Sequence, residues 1–206
     1  MIVILDYKTG NIGSLMNMIK KIGGKVLVSS KTGDIEKAEK LILPGVGAFD
    51  KGMENLKNSG FLKVLQKKVK EDRIPILGIC LGMQLFGRKS EEGRLEGLDW
   101  ITEAETIKFR FQKQESSLKI PHMGWNEIIS EKKDPLLEGL DNMARFYFAH
   151  SYHLVCKNKE NILATTNYGY DFPSIIKEDN IWGVQFHPEK SHKYGMRMLK
   201  NFIELC

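Results

Sequence analysis

The stretch Ile76-Leu77-Gly78-Ile79-Cys80-Leu81-Gly82-Met83-Gln84-Leu85 narrows the possible folds more than any other part of this 206-residue chain. A short apolar run of this kind reads as a strand buried on both faces, as in a parallel sheet covered by helices on each side. The run enters Gly-x-Cys-x-Gly and then a helix-like stretch. Glycines on either side of a nucleophile mark a sharp strand-to-helix turn, strained at its apex and too tight for neighbouring side chains. Such a turn lifts the sulfur clear of the sheet and sets it at a helix N-terminus, where free N–H groups and the dipole favour thiolate. The Leu81 N–H is then placed to stabilise an oxyanion. A glycine-flanked core cysteine has the same local sequence, so the motif alone leaves both readings open.

Further apolar runs at residues 2–5, 26–28 and 41–43 alternate with helix-like stretches at 13–22 and 50–72. That alternation predicts βαβ units and a mostly parallel, doubly wound sheet. Beyond about residue 100 the pattern changes. Segments 107–111, 145–152, 162–166, 174–177 and 182–186 read as strands joined by turns, and 194–205 reads as a helix. The expectation is one α/β domain over residues 1–206 with an antiparallel extension. Ligands of such sheets bind outside the carboxyl ends of the strands, so the motifs are expected there.

A thiol attacking an amide needs an imidazole to take its proton and return it to the leaving group. The segment Gly183-Val184-Gln185-Phe186-His187-Pro188-Glu189-Lys190-Ser191 offers one. In an extended backbone His187 and Glu189 project to the same side, so the carboxylate can fix the tautomer and orientation of the ring. Pro188 restricts both itself and His187 to such a backbone. His122, His150, His153 and His192 have no acidic residue so placed two positions on. A surface turn with an incidental His and Glu is the plainer alternative.

Composition excludes several classes. The net charge of +5 invites a nucleic-acid reading, but the lysines are spread along the chain. Their densest run, Lys63, Lys67, Lys68 and Lys70, lies opposite Phe61, Leu62, Leu65 and Val69 at helical spacing, which makes it a solvated face. An acidic partner protein fits that charge better than nucleic acid. The N-terminus lacks a basic segment followed by a long apolar one, and no apolar run approaches the ~18 residues that cross a bilayer. The expected setting is the cytoplasm, with neither membrane nor nucleic acid as partner. Three scattered cysteines, Cys80, Cys156 and Cys206, form neither a disulfide framework nor a zinc pattern. Cys156 reads as a small core residue and Cys206 as inert. No metal or organic cofactor is implied.

Two weaker signals remain. Pro44-Gly45-Val46-Gly47-Ala48-Phe49 follows a strand, where glycines let a backbone N–H turn towards developing negative charge. An ordinary Gly-rich turn looks the same. Ala149-His150-Ser151-Tyr152-His153 is either a plain strand or a pocket wall offering polar backbone to an amino acid. Gln84, one helical turn beyond Cys80, is able to face that pocket.

Taken in order, these motifs resemble the class I (triad) glutamine amidotransferases. Within them the chain is similar to the glutaminase subunits of imidazole glycerol phosphate synthases. The likeness spans essentially the whole chain, adding Asp6-Tyr7, Gly10-Asn11 and Pro121-His122-Met123-Gly124-Trp125-Asn126 to the motifs above. It implies a flavodoxin-like sheet. It implies Cys80 as the residue forming a glutamyl thioester, His187 as base and acid, and Glu189 as its orienter. It implies oxyanion N–H groups from Leu81 and, after a backbone rearrangement, from the loop with Val46 and Gly47. Glutamine contacts would come from Gly45, Gln84, His150, Ser151 and Tyr152. Asn11, Pro121, His122, Met123, Gly124, Trp125 and Asn126 would face a (β/α)8-barrel synthase that receives ammonia through a protected channel, giving a heterodimer of the histidine pathway.

Two departures accompany the likeness. The family commonly reads Gly-Leu-Gly-Trp where this chain has Gly97-Leu98-Asp99-Trp100. The stretches Lys108-Phe109-Arg110-Phe111 and Ala144-Arg145-Phe146-Tyr147-Phe148-Ala149 resemble a paralogous branch thought to supply ammonia for amidino sugars of surface polysaccharide. The glutamine half-reaction is the same in both branches and the acceptor differs. A stand-alone cysteine hydrolase is the reading from another class, but many such relatives carry His directly after the nucleophile, where this chain has Leu81.

Overall fold

Every residue of strand β1 (Ile2–Leu5) is buried, and alternate side chains enter different cores. The computed structural model describes residues 1–112, 118–141 and 143–206. In it Val3 and Leu5 join one apolar cluster, and Ile2 and Ile4 join the other. Strands β3 (Lys40–Gly45) and β4 (Ile76–Cys80) divide likewise: Leu41, Leu43 and Ile76 go one way, Ile42, Leu77 and Ile79 the other. The first cluster takes Phe49, Met53 and Leu56 from helix α3 (Phe49–Asn58) and Phe61 from α4 (Phe61–Leu65). The second takes Leu15 and Ile19 from α1 (Ile12–Lys21), and Met198 and Phe202 from α6 (His192–Leu205). Helices therefore cover both faces. Each fully buried Leu, Ile or Phe contributes roughly 1.5–3 kcal/mol, which is why these runs carry no polar residue.

The main sheet has eight strands in the order β2-β1-β3-β4-β12-β11-β10-β7. Strands β2 (Val26–Ser29), β1, β3, β4 and β12 (Ile181–Val184) are parallel. Antiparallel β11 (Asp171–Glu178), β10 (Ile162–Asn167) and the short β7 (Ile129–Ser130) extend one edge. This is a mostly parallel, doubly wound α/β sheet with an antiparallel extension. Two hairpin-like pairs stand beside it. Strand β5 (Ala104–Lys108) pairs with β9 (Tyr152–Cys156), and β6 (His122–Glu127) pairs with β8 (Arg145–His150). The remaining helices are α2 (Thr32–Glu36) and the single turn α5 (Leu81–Gln84). Among the described residues no helix is long and apolar enough to cross a membrane.

The structure corrects several boundaries. The helix expected over 50–72 is broken at Gly60, whose φ of 76° no helix accommodates, and its last part, Gln66–Glu71, is wound as a π-helix. Three of the four lysines lie outward as expected: Lys63, Lys67 and Lys70 are exposed while Phe61, Leu65 and Val69 are buried, but the Lys68 side chain is largely covered, its Nζ 3.3 Å from Asp72 Oδ2. The strand expected over 107–111 begins at Ala104, and that expected over 145–152 is two strands parted at Ser151. Strand β12 stops at Val184, leaving Gln185 and His187 to project from the sheet. Strand β6 was not anticipated at all, because its sequence His-Met-Gly-Trp-Asn-Glu lacks β-branched residues. Asp99 has φ +52°, in the left-handed region that favours glycine; aspartate is one of the few other residues that tolerate it.

Candidate active site

The parallel strands end together at one edge, and each end carries a different part of the site. Gly45 at the end of β3 lies in register with Cys80 at the end of β4, and β12 runs beside β4 so that Gln185 follows directly on Val184, the partner of Ile79. Cys80 has φ 55° and ψ −109°, a strained conformation that costs about 1–3 kcal/mol and persists only where the surroundings enforce it. They do so through close packing. A Cβ on Gly82 would lie 1.9 Å from the Leu43 carbonyl oxygen, and one on Gly78 would lie 2.4 Å from the Phe86 ring. Strand alternation would send Cys80 to the face of Gly78. The turn instead throws it into the opposite cluster, beside Phe186 and Val184.

The Cys80 side chain hydrogen-bonds the His187 imidazole, and His187 Nδ1 lies 2.9 Å from Glu189 Oε1. Middle and end of the chain thus meet. Burial opposes a charged imidazole, but its hydrogen bonds with Cys80 and Glu189, together with their charge, outweigh it and push His187 up to about 10. The backbone around the ring is fixed as well. The His187 N–H donates to Tyr147 O at 2.8 Å, Ser191 Oγ donates to His187 O at 2.6 Å, and the Tyr147 N–H donates to Ser191 Oγ at 3.0 Å. His187 is extended as expected, but Pro188–Lys190 is a 3-10 turn, and it is this turn that carries Glu189 back to the ring. The helix after Cys80 is a single turn, too short for a dipole of consequence. The influences on the sulfur are therefore local ones.

Cys80 opens on a pocket of about 410 Å³ rimmed by Val46, Gly47, Leu81, Gln84, His150, Ser151 and Tyr152, with Pro121 and Met123 at its mouth. The expected nucleophile, oxyanion loop and glutamine contacts thus line a single cavity, with Gly45 buried behind Val46. Glu92 lines it too and was missed by sequence reasoning; its Oε2 accepts from the Phe49 N–H at 2.8 Å, bracing the end of the loop that carries Val46 and Gly47. The only trace of it in the sequence was the acidic pair Glu91-Glu92 next to Gly93. A larger open groove of about 840 Å³ lies elsewhere, along Lys132, Asp134, Leu137 and Leu205, and holds none of these groups.

Hydrogen bonds give the pocket wall one polarity. The Tyr152 carbonyl only accepts, so His150 Nδ1, 2.8 Å away, donates to it. Burial holds His150 well below the ordinary histidine value, so the ring is neutral and its Nε2 accepts from His122 Nδ1 at 3.1 Å. Desolvation lowers His122 to about 4, and its Nε2 in turn accepts from Asn126 Nδ2 at 3.3 Å. His150 is therefore a wall residue whose two ring nitrogens are both engaged. His122, expected at a partner face, is buried behind it. Strand alternation explains the difference: Pro121, Met123 and Trp125 point outward and His122 inward. Asn11 is exposed at the start of α1. Burial raises the thiols of Cys156 and Cys206 to about 12 and 11, so neither competes as a nucleophile. Among the described residues no three His, Cys, Asp or Glu side chains are grouped to hold a metal.

Comparisons with known proteins agree with this geometry. Residues 3–205 match the family described as Glutamine amidotransferase class-I. A Methanococcus maripaludis protein named imidazole glycerol phosphate synthase subunit HisH 2 is 53% identical over 204 residues, covering 99% of each chain. The Pseudomonas aeruginosa protein of the same name is 49% identical over all of both chains. In Bdellovibrio bacteriovorus, imidazole glycerol phosphate synthase subunit HisH is 43% identical, again over all of both. Among solved structures, PurLQS from Thermotoga maritima superimposes with TM-score 0.70 at 18% identity, covering 98% of this chain and 96% of that one. A glutamine amidotransferase from the same organism gives 0.63 at 15%, covering 98% and 80%. The fold, the full-length match and the relatives together place this chain in the class I glutamine amidotransferase family.

Proposed function

We propose that the chain is the glutaminase subunit of an imidazole glycerol phosphate synthase, hydrolysing L-glutamine to glutamate and ammonia. The observation that carries this reading is the hydrogen-bonded series Cys80, His187, Glu189 opening on a pocket large enough for one amino acid. Full-length relatives at 43–53% identity bear that synthase's name, which supports the histidine pathway over the polysaccharide branch.

In this mechanism the Cys80 sulfur attacks the glutamine side-chain carbonyl carbon while His187 holds the thiol proton. The carbonyl oxygen takes the electron pair and is stabilised by the Leu81 N–H and by an N–H of the Val46–Gly47 loop. As the tetrahedral intermediate collapses, His187 passes the proton to the leaving nitrogen and ammonia departs, leaving a glutamyl thioester. Water, deprotonated by His187, attacks that thioester; glutamate leaves and the thiol is restored. Glu189 keeps Nδ1 protonated and the ring in place throughout. Glu92 is the carboxylate suited to the substrate ammonium. Both Nε2 hydrogens of Gln84 are spent on Tyr152 O and Gln185 Oε1, each at 3.0 Å, so its contribution to glutamine is its carbonyl oxygen.

The partner in this reading is a (β/α)8-barrel synthase, docked on the surface around the pocket mouth. Val46, Ile120, Met123 and Trp125 are exposed there at 46%, 40%, 63% and 46%, an apolar patch that a stand-alone enzyme has no reason to keep beside its active site. Asn11 is exposed and is offered to the same partner, whereas Gly124 and Asn126 share the face of His122, with the Asn126 amide engaged by His122 and Asn167. The setting is the cytoplasm, where thiols stay reduced.

The test is Cys80→Ala in complex with the synthase. Glutamine-dependent synthesis is expected to vanish while added ammonium still supports product formation from the histidine-pathway nucleotide. Loss of both, or turnover only with an acetamido sugar nucleotide, overturns the reading.

A further inference from the structure

Gln185 is fully buried and takes no part in the mechanism above. Its side-chain nitrogen lies 3.7 Å from Cys80 Sγ, within hydrogen-bond range for sulfur, and its Oε1 accepts from Gln84 Nε2 at 3.0 Å. Which end of this amide faces the sulfur is settled by its neighbours. The Tyr152 carbonyl fixes Gln84 Nε2 as the donor end of Gln84, since an oxygen there would face an oxygen. Gln84 Nε2 then demands an acceptor from Gln185, so the Gln185 NH2 group is turned towards Cys80. The backbone is pinned too: the Gln185 N–H donates to Ser174 O at 2.9 Å.

We propose that Gln185 is a positioning residue for the nucleophile, holding an N–H donor against the Cys80 sulfur in the conformation that faces His187. The proposal rests on the glutaminase reading only for its consequence in turnover; the donor–sulfur relationship is independent of substrate. A donor aimed at sulfur stabilises its anionic form more than its neutral form, because a hydrogen bond strengthens when the acceptor is charged. It also restricts rotation about the Cα–Cβ bond, which keeps the sulfur from swinging out of line with the substrate carbonyl. The other titratable groups around the sulfur are His187 beyond β12, with Glu189 behind it, Tyr7 beyond β1, and Glu92, His150 and Tyr152 lining the same pocket. The Tyr7 hydroxyl donates to Pro44 O, whereas the Gln185 amide directs an uncharged donor at the sulfur itself. The contacts continue outward: the Tyr152 carbonyl accepts from both Gln84 and His150, and His150 in turn accepts from His122 and His122 from Asn126, reaching strand β6.

The experiment measures the rate of Cys80 alkylation by iodoacetamide against pH in the full chain, resolved by peptide mass so that Cys156 and Cys206 do not contribute. Gln185→Leu is expected to raise the midpoint of that profile by about one to two pH units, the loss of one hydrogen bond to a charged group. Gln185→Glu keeps the length of the side chain and an oxygen for Gln84, but presents a carboxylate to the sulfur. Its midpoint is expected to rise further, and it remains informative if the leucine variant does not fold. In glutamine hydrolysis by the complex, kcat is expected to fall about 10- to 100-fold on the same energetic scale, with KM within about threefold. A midpoint unmoved in both variants overturns the proposal, even if turnover falls, since that is what a merely structural residue would give. A shifted midpoint in a chain that fails to hydrolyse glutamine would sink the glutaminase reading and leave this one standing.

Discussion

The Tyr7 hydroxyl donates to the Pro44 carbonyl at 2.6 Å, tying the loop after β1 to the loop that carries Val46 and Gly47. Tyr7 is 1% exposed, and a Cβ placed on Gly10 would come within 3.0 Å of Pro44 Cβ, so the two loops pack as one body. Asn11 follows at the exposed end of that body. Under the proposed function, a partner that touches Asn11 has a short mechanical route to the loop with Val46 and Gly47.

Tyr7→Phe tests that route. Removing the hydroxyl leaves the Pro44 carbonyl without its donor, costing about 1–2 kcal/mol of stability. If the loop must rearrange before it offers an N–H to the substrate, loosening it favours the rearranged form in the absence of partner. Partner-free glutamine hydrolysis is expected to rise by about two- to tenfold, and the stimulation by partner to shrink in proportion, the scale of that lost hydrogen bond. A fall in basal turnover would mean that the bond stabilises the working conformation.

Glu189→Gln should separate orientation from proton transfer. The carboxylate raises His187 alongside Cys80, so its loss is expected to move the histidine limb of the pH–rate profile downward. The amide also offers an N–H to Nδ1, favouring the wrong tautomer, and comparable substitutions cost about 10²–10⁴ in kcat. KM is expected to change little. An unaltered kcat with an unaltered profile would mean that the contact at 2.9 Å has no catalytic consequence.

The strained turn at Cys80 and the pairing of His187 with Glu189 were legible in sequence because local sterics dictate them. Gly78 and Gly82 are needed for reasons visible in any strand-to-helix turn, and His187 with Glu189 needs only a spacing of two. Gln185 was not legible. Buried glutamine between Val184 and Phe186 reads as an interruption in a strand, and its meaning depends on Gln84 and Cys80, which are remote in sequence. His122 was misplaced for a related reason. The segment 121–126 looked like one surface, and only the strand alternation of β6 shows which half faces the protein. Helix α3 ending near Gly60 was a turn signal that the long amphipathic pattern over 50–72 obscured.

Two glycine-related substitutions are expected to move stability in opposite directions. Gly82→Ala places a methyl 1.9 Å from a backbone oxygen that cannot move without shifting β3, so a loss of about 3 kcal/mol or more is expected. Asp99→Gly relieves a left-handed backbone at φ +52° and is expected to add about 0.5–1 kcal/mol. Urea midpoints for the two variants check both signs. A neutral Gly82→Ala would show that the turn around Cys80 is looser than its packing requires.

The histidine series predicts how the fold responds to acid. Burial lowers His122 and His153 to about 4 and holds His150 well below the 6.5 of a free histidine. Between pH 6.5 and 4 the unfolded chain therefore binds protons that the folded chain refuses. Stability present at and above pH 6.5 is lost as pH falls through that window, by about 1.4 kcal/mol per pH unit for each such histidine. His122→Gln removes one of them while leaving a carbonyl oxygen for Asn126 and an N–H for His150. Its denaturation free energy, measured from pH 7 to pH 4.5, is expected to fall less steeply than that of the unmodified chain by about one proton's worth. The outcome that counts against the arrangement is an equal slope, because a histidine at position 122 free to take up a proton in the folded state would donate from both nitrogens. Asn126 Nδ2 would then face a second donor, and the fixed polarity of the chain leading to the Tyr152 carbonyl would be broken at its first link.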